Sequence, residues 1–188
     1  MKIRTSLWIG ISLVGVLSQQ IGFAENRPGA ITFTLADAYY RFDSKHHVEN
    51  INLQNFALAY NLDQHWAAEG TVGIVNTTQK PAAGNQKVHG FLYTMDGVYR
   101  YSQCGHWQPY LLAGVGVLGL KATHDHSAHH GNINGGIGTE FFIDKQIALR
   151  GEFRDIFTTT GSYKNDLMFN LGISFSFVPT KSAETTSA

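Results

Sequence analysis

The sequence is poor in cysteine, proline and charged residues, and these shortages exclude several classes of protein. Cys104 is the single cysteine among 188 residues, which excludes an intramolecular disulfide and a cysteine-rich zinc site. Charged residues make up 15% of the chain and its formal net charge is zero, whereas nucleic-acid-binding proteins carry a basic face. Four prolines stand against 20 glycines, eight tyrosines and 12 phenylalanines, a composition that favours strands and turns.

Long apolar runs are also missing, since none approaches the roughly 20 residues of a membrane-spanning helix. Near the start of the chain, Lys2 and Arg4 precede a short apolar stretch over residues 7–17. Gly22 and Ala24 then occupy the small-residue positions of a cleavage site. We therefore expect residues 1–24 to be a secretory signal peptide and the exported chain to begin at Glu25.

Large apolar residues alternate with small or polar residues through the rest of the chain. Over residues 167–177, Leu, Phe and Ile occupy every second position, and Asn, Gly and Ser fill most of the others. A period of two is typical of strands whose two faces meet different surroundings. It predicts eight strands, over residues 31–42, 53–62, 65–76, 88–101, 110–120, 132–143, 147–157 and 167–177.

The connections between these strands alternate in length. Three are short turns, at residues 61–64, 102–106 and 144–146, and the other four are longer and polar. Short turns on one side and long loops on the other are typical of outer-membrane barrels, with the turns in the periplasm. The sequence thus predicts an all-β protein, an eight-stranded antiparallel up-and-down transmembrane β-barrel over residues 25–177, with a short disordered tail over residues 178–188.

A soluble lipocalin-like barrel is the alternative, because it too has eight antiparallel strands. The two differ in which face of the strands is apolar. Here Leu, Ile and Phe share one face, and Gly, Ser, Asn, Arg and Glu share the other. In water the first face would be a large exposed apolar patch. We therefore expect it to contact lipid, with the polar face lining the lumen.

Charged residues on the polar face should pair inside the barrel, because an unpaired buried ion costs several kcal/mol. An eight-stranded barrel is only just wide enough for its own side chains. We expect a plugged interior rather than an open pore, with Glu69, Glu140, Arg150 and Arg154 at its centre. The predicted lumen ion network consists of Glu69, Asp96, Arg100, Glu140, Arg150, Glu152 and Arg154.

The last predicted strand carries a terminal motif. Asn170, Gly172, Phe175 and Phe177 fit the pattern polar-x-Gly-x-x-aromatic-x-aromatic. This pattern resembles the C-terminal β-signal of outer-membrane proteins, which the barrel assembly machinery reads. Aromatic residues near strand ends also suit the two membrane interfaces. The predicted interface residues are Tyr39, Tyr40, Trp66, Tyr99, Tyr101, Trp107, Tyr110 and Phe157.

Several segments resemble the OmpA-like transmembrane domain family of small eight-stranded barrels. Residues 97–101, 107–110 and 113–116 resemble its fourth and fifth strands, and residues 136–140 and 148–154 its sixth and seventh. The resemblance extends over about residues 30–177 and implies an integral protein of the outer membrane of a Gram-negative bacterium. OmpA itself continues into a peptidoglycan-binding domain, which this sequence lacks, so we do not expect tethering to the cell wall.

A histidine-rich segment, HDHSAHH over residues 124–130, suggests two further hypotheses. Ser127 among histidines could form a catalytic set of a lipid A-modifying enzyme, but the His-x-Ser-Asn pattern of the lipid A deacylases is missing. We therefore expect no enzymatic activity. His124, His126, His129 and His130 could instead bind zinc. A solvated polar loop without metal is the alternative, and we favour it.

These patterns predict an integral outer-membrane barrel with a structural or surface-interaction role, no cofactor and no open pore. Its expected partners are outer-membrane lipid and lipopolysaccharide, the barrel assembly machinery and an extracellular ligand bound by the loops, but no nucleic acid. One alternative is an adhesin or host-defence-resistance barrel that presents its extracellular loops. A less favoured alternative is a lipid A-modifying barrel enzyme.

Overall fold

The computed structural model describes residues 28–43, 50–78, 87–122, 128–158 and 164–177. They form eight strands: β1 Ile31–Arg41, β2 Ile51–Asn61, β3 Trp66–Thr78, β4 Lys87–Arg100, β5 Trp107–Ala122, β6 Ala128–Phe142, β7 Ile147–Thr158 and β8 Lys164–Phe177. Each strand pairs antiparallel with the next, and β8 pairs with β1, which closes a barrel. The predicted eight-stranded up-and-down topology is confirmed. The predicted signal peptide and tail lie outside the described residues.

Five strands, β2, β4, β5, β6 and β8, begin one to four residues earlier than the alternation predicts. β5 starts at Trp107, which pairs with Phe141, and β6 starts at Ala128, which pairs with Leu120. Backbone pairing thus continues past the point where the side-chain pattern fades. As a consequence His129 and His130, predicted to lie in a loop, belong to β6.

The barrel has two distinct ends. Residues 62–65, 101–106 and 143–146 make the three short turns at one end, which we call the turn end. The other four connections join the strands at the opposite end, the loop end. In the second turn Gly105 has a φ of +61°, and Cys104 and Trp107 exchange two backbone hydrogen bonds across it. Nowhere in the described ranges is there a helix with the length and apolarity needed to cross a membrane.

The two faces of each strand have different surroundings. On β2 the side chains of Leu53, Asn55 and Ala57 are buried inside the barrel, whereas those of Phe56 and Leu58 are exposed on its outer face. Large apolar residues cover this outer face on every strand. At the turn end they include two aromatic pairs, Trp66–Tyr99 and Trp107–Phe141, with ring centroids 5.0 and 4.8 Å apart.

The prediction was wrong for two of the interface aromatics. Tyr40 and Tyr110 point into the barrel and expose 0% and 2% of their surface, whereas Tyr39 exposes 50%. Position near a strand end suggested an interface role, but the alternation places both residues on the inner face. Tyr110 has room there because its cross-strand partner, Gly138, has no side chain. A Cβ at position 138 would overlap the tyrosine ring.

Candidate functional site

All seven residues of the predicted lumen ion network point into the barrel and are buried. Five of them, which we call the ionic cluster, form one connected group: Glu69, Asp96, Arg150, Glu152 and Arg154. The remaining two, Arg100 and Glu140, lie 3.5 Å apart as a separate pair towards the turn end. Glu140 is thus not at the centre with the other three residues that the sequence suggested, although it lies opposite Arg150 in the β6–β7 register.

The ionic cluster spans the lumen through Arg150. Its Nη1 and Nη2 donate to the two carboxylate oxygens of Glu69 at 2.6 and 2.9 Å, which is a bidentate pair. Arg150 belongs to β7 and Glu69 to β3, four strands away in a barrel of eight. The pair therefore joins opposite walls of the barrel.

The second arginine ties a third wall to the same group. Arg154 Nη1 donates to Asp96 Oδ2 at 2.8 Å and to Thr94 Oγ1 at 3.0 Å, both on β4. Arg154 Nε donates to Glu152 Oε1 at 3.0 Å, and Arg150 Nη2 donates to Glu152 Oε2 at 2.6 Å. Glu152 is thus shared by both guanidinium groups.

Neutral polar residues that the sequence did not assign to the lumen complete the cluster. Tyr110 accepts a hydrogen bond from Arg150 Nε at 2.7 Å and donates one to Glu152 at 2.9 Å. Asn170 donates to Glu152 Oε1 at 2.9 Å and accepts from Asn55 at 2.6 Å. Their inward position follows from the same alternation that identified the charges, but neutral side chains give no signal of their own in a sequence.

Nearer the loop end the interior is closed by apolar side chains. Residues from seven strands pack into what we call the apolar cluster: Ala38, Tyr40, Phe42, Leu53, Val75, Val88, Leu92, Leu118, Ile156 and Met168. The Tyr40 hydroxyl donates to Asp166 at 3.0 Å at its edge. The idea that the large aliphatic residues share the outer face was therefore wrong for Leu53, Leu92, Leu118 and Ile156.

The residues of the predicted β-signal lie on both faces of β8. Phe175 and Phe177 lie on the outer face, whereas Asn170 and Gly172 lie on the inner face. A Cβ at Gly172 would overlap the backbone of Leu35 and come within 2.7 Å of the Ala36 Cβ. Close pairing of β8 with β1, which closes the barrel, thus requires glycine at this position.

Two of the four histidines proposed to bind zinc are among the residues that the structure describes. His129 is exposed on the outer face of β6, with its ring 5.9 Å from that of Phe91, and His130 is its half-buried neighbour. His124, His126 and Ser127 lie outside the described residues. Within the ranges that are described, no three histidine, cysteine, aspartate or glutamate side chains come together as a metal site.

Comparison with known families identifies the class of this barrel. Residues 9–177 match the family described as the outer membrane protein beta-barrel domain. The match covers most of the chain, so the protein belongs to this family. It is an integral outer-membrane protein, and the predicted kinship with small outer-membrane barrels is confirmed. No curated protein sequence matches the chain significantly.

Solved structures share the fold at low sequence identity. The N-terminal β-barrel domain of OprF from Pseudomonas aeruginosa is 16% identical with a TM-score of 0.62, over 80% of this chain and 98% of that one. OprG from Pseudomonas aeruginosa is 10% identical with a TM-score of 0.62, over 84% and 100%. Ail of Yersinia pestis, in complex with the heparin analogue sucrose octasulfate, is 13% identical with a TM-score of 0.57, over 80% and 99%.

Proposed function

We propose that this protein is a closed barrel with a structural and surface-interaction role, rather than a pore. The observation that carries the proposal is the bidentate Arg150–Glu69 pair, which joins opposite walls of the lumen. The donors of Arg150 and Arg154 are directed at carboxylates and at the Tyr110 and Thr94 hydroxyls, so the cluster holds the walls together instead of offering charges to a passing solute. The apolar cluster closes the same lumen a second time nearer the loop end.

The space beside the ionic cluster supports this proposal. A cavity of about 20 Å³ is lined by Asn55, Thr71 and Arg150, together with other inner-face residues. That volume has room for about one water molecule. A continuous water column would need both clusters to rearrange.

Electrical recording tests the absence of a pore. The purified protein, inserted into planar bilayers, should give no steady conductance above the bare membrane. Insertion is checked by protease protection, so that a silent trace reports a closed barrel and not an empty bilayer. A large, stable and ion-unselective conductance of the unmutated protein would contradict the proposal.

A surface interaction at the loop end is the second proposal. Lys87, His89 and His129 are exposed on the outer face there, on β4 and β6, and the ring of Phe91 lies 5.9 Å from that of His129. We infer that the three side chains form a basic patch. Such a patch suits sulfated or phosphorylated polyanions. Binding of a polyanion at this patch would agree with the adhesin alternative. Ail, which shares the fold, is in complex with sucrose octasulfate in its solved structure.

Binding of sucrose octasulfate to detergent-solubilised protein tests this second role. Changing Lys87 and His129 together to glutamine should weaken binding severalfold. The matched control is His65→Gln, since His65 is exposed in a turn at the opposite end. Equal binding by all three proteins, or no binding by any, would contradict the proposal.

We propose that β8 is read by the barrel assembly machinery and that the outer face contacts outer-membrane lipid and lipopolysaccharide. Phe177→Ala and Gly172→Asp should lower the amount of assembled barrel more than Ser176→Ala does. Heat-modifiable migration on gels measures the assembled fraction. Equal assembly of the three variants would show that the motif is not a signal.

We propose no enzymatic role. Ser127, the candidate nucleophile, lies in a sequence segment that lacks the His-x-Ser-Asn deacylase pattern. Mass spectra of lipid A from cells with and without the protein should be identical. A change in acyl chains would instead favour the lipid A-modifying alternative.

A further inference from the structure

The ionic cluster carries one more negative charge than positive charge. Three carboxylates, those of Glu69, Asp96 and Glu152, meet two guanidinium groups, those of Arg150 and Arg154. All five side chains expose 5% of their surface or less. A surplus charge at such depth is costly unless it is compensated within the barrel.

One carboxylate of the cluster is bound through only one of its two oxygens. Both oxygens of Glu69 accept hydrogen bonds from Arg150, and both oxygens of Glu152 accept from the arginines. Asp96 Oδ2 accepts from Arg154 and from Thr94. Asp96 Oδ1 is buried and has no hydrogen-bond partner among the described residues.

That oxygen leans over a groove formed by two glycines of β5. In the register, Gly114 lies between Asp96 and Asn134, and Gly116 lies between Thr94 and Asn132. A Cβ at Gly114 would overlap Asp96 Oδ1, and a Cβ at Gly116 would lie 2.8 Å from Asn132 Oδ1. Side chains from both neighbouring strands therefore occupy the space that the glycines leave.

The far side of the groove supplies further oxygen atoms without partners. Asn132, Asn134 and Thr158 expose 4%, 6% and 1% of their surface. Their side-chain amide and hydroxyl groups make no hydrogen bond to any described residue. Asn132 lies opposite Thr158 in the β6–β7 register, so the three side chains share one region of the inner face. Burying polar groups unpaired is unfavourable.

We propose that this groove binds one monovalent alkali cation, Na⁺ or K⁺. Its ligands are Asp96 Oδ1, the amide oxygens of Asn132 and Asn134, and the Thr158 hydroxyl. Hard cations bind carboxylate, amide and hydroxyl oxygens. A single positive charge balances the surplus of the ionic cluster, whereas a divalent ion would exceed it. Arg154 does not occupy the site, because it binds the other oxygen of Asp96.

The test compares salts that differ only in the cation. The full-length protein is unfolded and refolded in detergent with N-methylglucamine chloride, NaCl or KCl at equal ionic strength, because a buried ion exchanges slowly. The thermal midpoint should rise by several degrees in NaCl, KCl or both, and the rise should saturate with concentration. Whichever salt acts identifies the ion. After free salt is removed, atomic emission should find about one bound cation per barrel.

Three variants separate this site from a general salt effect. Asp96→Asn removes the surplus charge, and Asn134→Leu removes a ligand without touching an ion pair, so both should lose the cation dependence and the bound ion. Glu140→Gln, which alters the separate pair with Arg100, should keep both. Equal midpoints in all three salts would overturn the proposal and indicate that water alone fills the groove. Bound cation retained by Asp96→Asn and Asn134→Leu would overturn it as well.

Discussion

The two halves of the barrel interior differ in the kind of side chain that dominates their packing. Towards the turn end and the middle, charged residues of β3, β4 and β7 bind one another across the lumen. Towards the loop end, aliphatic and aromatic residues from seven strands pack together. The side chains of both halves are buried, yet their energetics differ. The ionic half gains from exact pairing, and the apolar half gains from volume and contact.

This difference determines how each half responds to damage. Removing one member of a buried ion pair leaves the other charge without a partner in a poorly hydrated site, so the loss is abrupt. Removing methyl groups from an apolar cluster leaves a cavity whose cost depends on how far the neighbours relax. Truncating one buried side chain in each half and measuring the loss of unfolding free energy should therefore distinguish the two halves.

The largest effect is expected for Arg150→Ala. This change removes both donors to Glu69 and a 2.6 Å contact to Glu152. The free energy of unfolding should fall by about 3–5 kcal/mol if the site stays dry, and by less if water enters. Urea unfolding in detergent micelles, followed by tryptophan fluorescence, measures the change.

A second variant controls for the loss of packing. Combining Arg150→Met with Glu69→Gln removes the pair while retaining most of the volume, so part of the lost stability should return. A double variant no more stable than Arg150→Met alone, which has the same packing, would show that the stranded carboxylate does not dominate the loss in this half.

Leu92→Ala tests the apolar half. Leu92 is fully buried in the apolar cluster, and a Leu→Ala change at such a site costs about 2–5 kcal/mol through lost burial and the cavity that remains. Leu171→Ala is the matched control, since Leu171 exposes 61% of its surface on the outer face. Equal losses for the two variants, measured by urea unfolding, would contradict the distinction between core and lipid-facing leucines.

Much of this division could be predicted from the sequence. The period of two assigns each residue to a face, and the charges on the inner face stood out because they alternate with Leu and Phe on β7. Which charges pair could not be predicted, because the Arg150–Glu69 contact joins strands that are not neighbours. It depends on the curvature of the closed barrel and on side-chain reach.

The apolar half was missed for a different reason. Leu92, Leu118 and Ile156 are of the same residue types as the lipid-facing side chains, so only their position in the two-residue alternation distinguishes them. The two-residue alternation of β4, β5 and β7 places these three residues at inward-facing positions. The expectation of a polar lumen outweighed that signal. Tyr40 and Tyr110 were misplaced in the same way, because both lie near strand ends.

Gly138→Ala should have an intermediate effect on the ionic half. A Cβ there would overlap the Tyr110 ring, whose hydroxyl bridges Arg150 and Glu152. Overpacking of this kind costs about 1–3 kcal/mol. Gly70→Ala is the matched control, since a Cβ there meets nothing within 4 Å. If both variants unfold at the same urea concentration, the Tyr110 ring does not need the space above Gly138.

The smallest effect is expected for Asp63, a carboxylate in neither half. Asp63 lies exposed in the β2–β3 turn and accepts hydrogen bonds from the backbone N–H groups of Trp66 and His65, each at 2.7 Å. These bonds lower the pKa of Asp63 below its ordinary value. Because the pKa is lowered in the folded state, the carboxylate stabilises the fold above its unfolded-state pKa of about 3.9, and this contribution is lost as the pH falls through the folded-state pKa.

Asp63→Asn should therefore leave the free energy of unfolding at pH 7 little changed, because water replaces much of what an exposed carboxylate provides. It should also flatten the dependence of unfolding free energy on pH below about 4. Urea midpoints of the variant and the unmutated protein between pH 2.5 and 7 measure this difference. Curves that stay parallel down to the lowest pH would show that the turn gains nothing from the charge of Asp63. A loss at pH 7 as large as that of Arg150→Ala would remove the distinction between hydrated and buried carboxylates on which the comparison of the two halves depends.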